Sequence, residues 1–494
     1  MRTAVSNYRR KEDESGIQLE LNFQGEKGNR FKEKLDSGSF QVFLEVNPPS
    51  GEVSQDELCD RFGPIEYLAG ANRLTTSLAI TDSRKEGAMD AISFASAICP
   101  LEHDRHLLFL SGRDRTLADM EKIASHALLE GFRNLAFVSG APHANDTFRT
   151  LARTPFCESV TALESLKGKF SGELFPGAVV NPYCYTPETS WSHLAKCMKK
   201  IHSGASFLVT EAGWDLLKLQ ELRCHLMRRG EVVPVIAQLM VLTPELAEEI
   251  SSGMHKGLNL SPDMQELFRQ EAKHSRAQFE AAQLRHIALH AAGAKVLGCS
   301  GILLSALESH PTRIQAVLHC VEEALEEFPT FESWQKAFEE FYGRLCMAPF
   351  PRNFYAFEEL LARSYTVELP RIRDCRISPM TSSERFRHNW AKCLLSDADM
   401  LPVREKLLTK KLLVSCSKGN SCKNCLLPRT DYICLEQCPK RMMNGPCSQL
   451  LVDGKCPFLP GKECVHVTRV RFADSLDHFG SLEEEILPQE KERE

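Results

Sequence analysis

Residues 41–51 read QVFLEVNPPSG, and this stretch decides the fold. Four of its first six residues, Val42, Phe43, Leu44 and Val46, are β-branched or large and apolar, as is typical of a buried strand. The strand ends with Glu45 in front of a loop stiffened by Pro48 and Pro49. A buried strand needs partners on both sides, so the rest of the chain is expected to supply them.

Seven further strand candidates follow, separated by amphipathic helical stretches such as LADMEKIASHALLEG at 117–131. They are RLTTSLAIT (73–81), HLLFLSG (106–112), LAFVSG (135–140), GAVVNP (177–182), SFLVTEAG (206–213), VVPVIAQLMV (232–241) and GILLSAL (301–307). Strands that alternate with helices predict a parallel α/β sheet, and eight of them predict a closed (βα)8 TIM barrel. A doubly wound open sheet is the alternative, but no strand is followed by a Gly-x-Gly-x-x-Gly phosphate turn.

Composition narrows the class of protein. The chain has 494 residues and a formal net charge of −6, so there is no positive field to favour nucleic acid as a partner. No apolar run is long enough to span a bilayer, and residues 1–36 lack the apolar core of a signal peptide. We therefore expect a cytoplasmic enzyme that acts on a small molecule and binds neither nucleic acid nor membrane.

The sequence predicts five segments. They are a flexible leader (1–36), the barrel (37–330), a helical connector (331–415), a cysteine-rich metal-binding module (416–480) and an acidic tail (481–494). Within the barrel, residues 257–292 predict one unusually long helical stretch.

Barrel enzymes carry their working groups at the carboxyl ends of the strands. Glu45 ends the first strand candidate, and a carboxyl group held in a barrel mouth with little solvent tends to a raised pKa and can act as a general acid. A charged residue that merely meets a helix N-terminus explains Glu45 equally well on its own.

Cysteines crowd near the C-terminus. Of nineteen in the chain, eight lie within 416–464, at Cys416, Cys422, Cys425, Cys434, Cys438, Cys447, Cys456 and Cys464. In a reducing compartment such spacing predicts metal ligands, and eight thiolates could fill two four-cysteine sites holding iron–sulfur clusters or zinc. A zinc-stapled structural knob remains the alternative.

The stretch FLEVNPP (43–49) resembles the first-strand signature of methylenetetrahydrofolate reductases, whose glutamate protonates the folate. Further similarities follow in order over about residues 31–325. They include Thr81-Asp82, His106, Gly131–Leu135, Val138–Gly140, Asn181-Pro182, SGASFLVTEAG (203–213) and VVPVIAQLMVLTP (232–244). The resemblance implies that Glu45 is the catalytic acid.

The same resemblance implies the ligand sites. FAD is expected at Thr81, His106, Gly140, Ala141 and Asn181, and a tetrahydrofolate derivative at Glu211 and Gln238. Glu45, His106, Asn181 and Glu211 are expected to open on one face of the barrel. The sequence departs from the family at Ala141, where an aspartate is usual, at Glu211, where a glutamine is usual, and at 180–182, where Tyr-Pro-Glu is usual.

The segment CPKRMMNGPCSQLLVDGKC (438–456) resembles the cysteine-rich extension of acetogen-type methylenetetrahydrofolate reductases, with Ser448-Gln449 in place of a Gly-Gly pair. A flavin barrel fused to this module implies electrons entering through a cysteine-bound centre, with ferredoxin, NAD(P)H or an electron-transfer subunit as donor and a homo- or hetero-oligomer as the assembly. Two alternatives stay open: a non-catalytic scaffold or electron-transfer subunit, and a folate-dependent methyltransferase.

Overall fold

A closed barrel forms the centre of the molecule. The computed structural model describes residues 28–51, 53–71, 73–83, 87–99, 101–143, 146–307, 310–343, 354–362, 369–374, 376–395, 413–414 and 425–487. The strands are β1 (Gln41–Val46), β2 (Thr75–Ile80), β3 (Leu107–Ser111), β4 (Asn134–Val138), β5 (Phe175–Val180), β6 (Phe207–Thr210), β7 (Val235–Met240) and β8 (Gly301–Ser305). They pair in chain order, and β8 returns to β1 with Leu304 opposite Leu44, which confirms the predicted barrel.

Helices surround the strands. They are α1 (Arg30–Asp36), α2 (Gln55–Ala71), α3 (Ala91–Ile98), α4 (Leu117–Leu129), α5 (Phe148–Leu151), α6 (Ser159–Lys169), α7 (Pro187–His202), α8 (Leu216–Arg228), α9 (Pro244–Ser251), α10 (Pro262–His274), α11 (Arg276–Val296), α12 (Pro311–Glu327), α13 (Phe331–Tyr342), α14 (Ser382–Leu395) and α15 (Val465–Ser475). Local sequence sets their ends: α4 starts at a Thr116–Asp119 capping box and stops before Gly131, which has φ +91°. None of the described helices is long and apolar enough to cross a membrane.

Helix α1 closes the N-terminal end of the barrel. Phe31 packs edge-on against the rings of Phe43, Phe175 and Phe207, with centroids 5.2, 5.7 and 5.1 Å away. Residues 30–36, at the end of the predicted leader, therefore form an ordered plug beneath the barrel. Residues 1–27 of that leader lie outside the described residues.

The long helical stretch predicted over 257–292 is two helices, α10 and α11. Ser275 between them is extended, with φ −169° and ψ 159°, and its side chain accepts a hydrogen bond from the Gln278 N–H. Serine competes for backbone hydrogen bonds in this way and favours a cap over a helix interior. The predicted single helix was therefore wrong at Ser275 and at residues 257–261, which lie before α10.

The C-terminal module packs on the outside of α7. The connector contributes α13 and α14, and the module adds α15 and a short 3-10 turn at Phe479–Glu483. Ile486 in the predicted acidic tail is only 2% exposed, and its N–H donates to Asn444 Oδ1 at 2.7 Å. Because the module covers α7, three lysines on this helix are buried, which is unusual for lysine. They are Lys196, Lys199 and Lys200.

Candidate active site

The carboxyl ends of the strands surround a cavity of about 430 Å³. Parallel strands end on the same side, so side chains that follow different strands meet there. Predicted site residues that line this cavity are Glu45, Thr81, Gly140, Ala141, Asn181, Glu211 and Gln238. The structure therefore brings together seven positions that are far apart in the chain.

Glu45 has the electrostatics of a general acid. Gln238 Nε2 donates a hydrogen bond to Glu45 Oε2 at 3.1 Å. Burial disfavours the carboxylate, nearby Glu211 adds repulsion, and together they outweigh a hydrogen bond from Asn47, so the pKa of Glu45 rises to about 7. This carboxyl group therefore keeps its proton to a much higher pH than a free glutamate does.

Glu211 and Asn181 connect the barrel to the C-terminal module. Asn181 Nδ2 donates to the Ser448 carbonyl oxygen at 3.0 Å, and Glu211 shares a side-chain hydrogen bond with Ser448. Burial raises the pKa of Glu211, although that hydrogen bond and the ammonium groups of Lys200 and Lys440 act in the opposite direction. Both side chains thus help to fix the loop that carries Ser448.

The β2 and β3 ends supply a rigid rim. Thr81 Oγ1 donates to Asn47 Oδ1 at 2.6 Å, which ties it to the loop after β1. Asp82 accepts from the Ser111 N–H at 2.8 Å and forms a buried ion pair with Arg115. Asp82 is therefore a structural anchor of the rim, and Thr81 lines the cavity beside it.

At the β4 end a lysine stands near the position where the family usually has an aspartate. Lys440 Nζ donates to the Gly140 carbonyl oxygen at 2.7 Å and lies 4.9 Å from the centre of the Phe156 ring. Gly140 has φ +85°, and a Cβ there would come within 2.5 Å of Ser111 Oγ, so only glycine fits. Ala141 lines the cavity without offering a charge.

His106 is not part of this site. It precedes β3 and therefore lies at the opposite, N-terminal end of the barrel, where it is fully buried. The Leu78 N–H donates to His106 Nδ1 at 3.1 Å, and burial lowers the pKa of the imidazole to about 3. The prediction that it shares one face with Glu45, Asn181 and Glu211 was wrong, and its role is structural.

Two stretches of the chain match known family profiles. Residues 30–251 match methylenetetrahydrofolate reductase, and residues 398–492 match methylenetetrahydrofolate reductase C terminal. The barrel and its module belong to the methylenetetrahydrofolate reductase family. This membership supports a folate-related enzyme of the oxidoreductase type.

Other comparisons are less close. A solved structure from Clostridium thermocellum is described as an uncharacterized protein that binds two copies of 5-methyl-5,6,7,8-tetrahydrofolic acid. It is 12% identical to this chain with a TM-score of 0.42, and the alignment covers 59% of this chain and 98% of that one. No curated protein sequence gave a significant match.

The C-terminal module forms one wall of the cavity. The sequence did not predict this contact between the module and the barrel. Module residues that line the cavity are Lys440, Pro446, Cys447, Ser448 and Gln449. Helix α7 adds His193, Lys196 and Lys200, and the loop after α9 adds Lys256 and Gly257. Helix α7 is amphipathic in sequence, so nothing in its local pattern indicates that its polar face is covered as well.

A buried ion pair joins the reductase barrel to the module. Glu158 and Lys196 lie 2.7 Å apart, and both side chains are 6% exposed. Glu158 Oε2 also accepts from the N–H groups of Met443 and Asn444 at 3.1 and 3.0 Å, while Lys196 Nζ donates to the Gly445 carbonyl oxygen at 3.2 Å. The loop that walls the cavity is thus held by charge-assisted hydrogen bonds.

Four module cysteines approach one another. Burial first and neighbouring thiols second raise the pKa of Cys438, Cys456 and Cys464, and Cys447 is a neighbour of all three. Cys447 lines the barrel cavity, whereas the other three line a second cavity of about 380 Å³ beside α14. In the described part of the chain, no three His, Cys, Asp or Glu side chains are arranged to hold a metal ion.

The remaining predicted ligands lie elsewhere. Cys434 is buried, and Cys425 packs against the same apolar cluster around Ala391 and Leu427. Cys416 and Cys422 lie outside the described residues. The described thiols of the module therefore fall into two groups, one around Cys447 and one that contains Cys425 and Cys434.

Proposed function

We propose that this protein reduces 5,10-methylenetetrahydrofolate to 5-methyltetrahydrofolate, or catalyses the reverse reaction, in the barrel-mouth cavity. The observation that carries the proposal is Glu45, a cavity carboxyl group with a pKa of about 7 that Gln238 holds in place. A carboxyl group with this pKa can deliver a proton at neutral pH and take another from solvent afterwards.

The chemistry divides between a hydride and a proton. Opening the five-membered ring of the substrate places a hydride on its methylene carbon and a proton on the nitrogen that leaves that carbon. Reduced FAD bound at the mouth would supply the hydride. Glu45 would supply the proton, while Glu211 and Gln238 would hold the pterin beside it.

The residues present fit a flavin. Lys200 Nζ donates a hydrogen bond to the Val179 carbonyl oxygen, and Lys440 Nζ donates one to the Gly140 carbonyl oxygen. Each ammonium group has three N–H donors, so both can also donate to flavin oxygens. His193 also lines this cavity, and its Nε2 atom is buried without a hydrogen-bond partner among the described residues. Thr81, Gly140, Ala141 and Asn181 would complete the FAD site.

The module supplies thiols of the type that a metal centre uses, although the described side chains are not arranged around an ion. Cys438, Cys447, Cys456 and Cys464 provide four sulfur donors, which suit structural zinc or an iron–sulfur cluster. We propose these four as one centre, next to the flavin site through Cys447. Ferredoxin, NAD(P)H or a partner subunit remains the candidate electron donor.

Replacing two of these thiols should remove metal. In the Cys438→Ser, Cys447→Ser double variant, metal per chain should fall by one full centre, because serine cannot supply a soft thiolate ligand. Elemental analysis of anaerobically purified protein measures this. Cys59→Ser with Cys320→Ser, well away from the module, is the control. An unchanged metal content in the first variant would contradict the assignment, and Cys422→Ser with Cys425→Ser tests for a second centre.

An aspartate at position 141 should lower the midpoint potential of the bound flavin. A carboxylate there would repel the negative charge that develops on reduction, and a tenfold loss of stability of the two-electron-reduced form corresponds to about 30 mV. We expect a decrease of some tens of millivolts in Ala141→Asp, measured by spectroelectrochemical titration. Ala141→Asn has the same size without the charge, and an equal shift in that variant would show that charge is not the cause.

The visible spectrum of the anaerobically purified protein tests the function as a whole. Flavin bands, together with conversion of methylenetetrahydrofolate when the flavin is reduced, support the reductase. A colourless protein that contains zinc and does not turn over folate would instead support the scaffold, for which the uncharged Ala141 is the best structural argument.

A further inference from the structure

We propose that Gln449 of the C-terminal module accepts a hydrogen bond from a ring N–H group of the pterin in the barrel-mouth cavity. This contact would help to determine substrate specificity. This inference rests on the proposed function. It adds a recognition residue from outside the barrel, at a position where the sequence departs from the Gly-Gly of the module family.

The segment that carries Gln449 is fixed from several sides. Asn181 donates to the Ser448 carbonyl oxygen at 3.0 Å. On the opposite side, Gly257 in the loop after α9 comes so close that a Cβ there would lie 2.6 Å from the Ser448 oxygen and 3.0 Å from Gln449 Cα. Gly257 also has φ +93°, a conformation that suits only glycine. The backbone of Gln449 is therefore held in one place before a ligand arrives.

The side chain of Gln449 has an unmet hydrogen-bond acceptor. Gln449 lines the cavity, and its Oε1 atom is buried without a hydrogen-bond partner among the described residues. A buried acceptor left unpaired costs free energy, so in a native protein it calls for an explanation such as a ligand. Because other atoms of Gln449 line the cavity, a turn of its amide group presents this oxygen to an N–H donor there.

The cavity is rich in acceptors of this kind. Carboxyl groups of Glu45 and Glu211 line it together with the Gln449 amide. A reduced pterin carries an amino group and ring N–H groups along one edge, so it presents several donors side by side. An isoalloxazine ring offers a single N–H on its pyrimidine edge. The number of acceptors therefore favours the pterin as the partner of Gln449.

Binding of 5-methyltetrahydrofolate to the full-length protein tests the proposal. Gln449→Met keeps the length of the side chain and removes the acceptor, whereas Gln449→Glu keeps an acceptor at the same place. We expect the Kd to rise about tenfold in Gln449→Met, as is typical for one lost hydrogen bond, and to stay within about threefold of wild type in Gln449→Glu. Anaerobic titration calorimetry measures both, and flavin content should not change.

Gln265→Met is the matched control, because Gln265 is also half-buried but donates to the Leu260 carbonyl oxygen on α10, away from the cavity. Gln449→Ala replaces Gln449→Met if the latter does not fold. A wild-type Kd in the acceptor-free variant overturns the proposal, as does equal weakening in Gln449→Glu. Loss of flavin with unchanged folate binding would assign Gln449 to the flavin instead. Wild-type protein that binds no 5-methyltetrahydrofolate would overturn the proposed function itself.

Discussion

Glu45→Gln should lower the rate of methylenetetrahydrofolate reduction by about 10²–10⁴-fold, the usual effect of losing a general acid. Glutamine keeps the shape of the side chain and can still bond to Gln238, so the cavity should remain intact. Flavin content and the Kd for 5-methyltetrahydrofolate should therefore stay close to wild type. Stopped-flow measurement of flavin reoxidation by the substrate isolates this step.

The pH dependence of the same step gives a second test. Glu45 is protonated below its pKa of about 7, so the wild-type rate should be level at acid pH and fall about tenfold for each pH unit above 7. Glu45→Gln should lose this dependence. Glu164→Gln on α6, away from the mouth, is the control and should behave as wild type. A Glu45→Gln enzyme with full activity would remove this residue from the mechanism.

Glu158→Leu should destabilise the protein by about 3–5 kcal/mol, because it leaves the ammonium group of Lys196 buried without its carboxylate. The loss should appear as a lower thermal unfolding temperature and as an earlier transition in urea. The double variant Glu158→Leu, Lys196→Met removes both charges and should recover most of the stability. Glu245→Ala, which breaks an exposed pair with Arg276, should have little effect.

The folding stability at acid pH should depend on the same ion pair. Burial favours the neutral carboxyl group of Glu158, but Lys196, His466 and backbone N–H groups outweigh it and hold the pKa at about 2, against 4.5 for a free glutamate. Since the folded-state pKa is depressed, this stabilisation is complete above about pH 5 and is lost as the pH falls toward 2. The wild type should lose stability relative to Glu158→Leu over that range. Parallel curves for the two proteins would show that the carboxylate contributes nothing at the junction.

The barrel and most of its mouth could be predicted because local pattern fixes both. An apolar strand that ends on a polar residue, such as β1 with Glu45 or β5 with Asn181, places that residue at the carboxyl end of a parallel barrel. The prediction for His106 was wrong for the same geometric reason. His106 comes before its strand and therefore lies at the other end of the barrel. The family resemblance had implied that His106 contacts FAD at the barrel mouth, and its position before β3 excludes this.

The wall of the cavity could not be predicted. Asn181 meets Ser448, and Glu158 meets Asn444, across more than 260 residues of sequence. No local periodicity encodes such a contact. The grouping of the cysteines could not be predicted for a related reason, since spacing alone does not show that the fold brings Cys438 near Cys447 and Cys464.

The loop from Asn444 to Gln449 forms one wall of the barrel cavity and belongs to the same polypeptide as the barrel. This covalent link determines how the cavity behaves when the protein is diluted. A wall carried by a separate subunit would dissociate on dilution, and half-assembled enzyme would then expose its cavity to water. A tethered wall returns at an effective concentration in the millimolar range, set by the length of the connector and not by the level of expression. The enzyme should therefore keep a constant specific activity on dilution, down to concentrations at which a two-subunit counterpart falls apart.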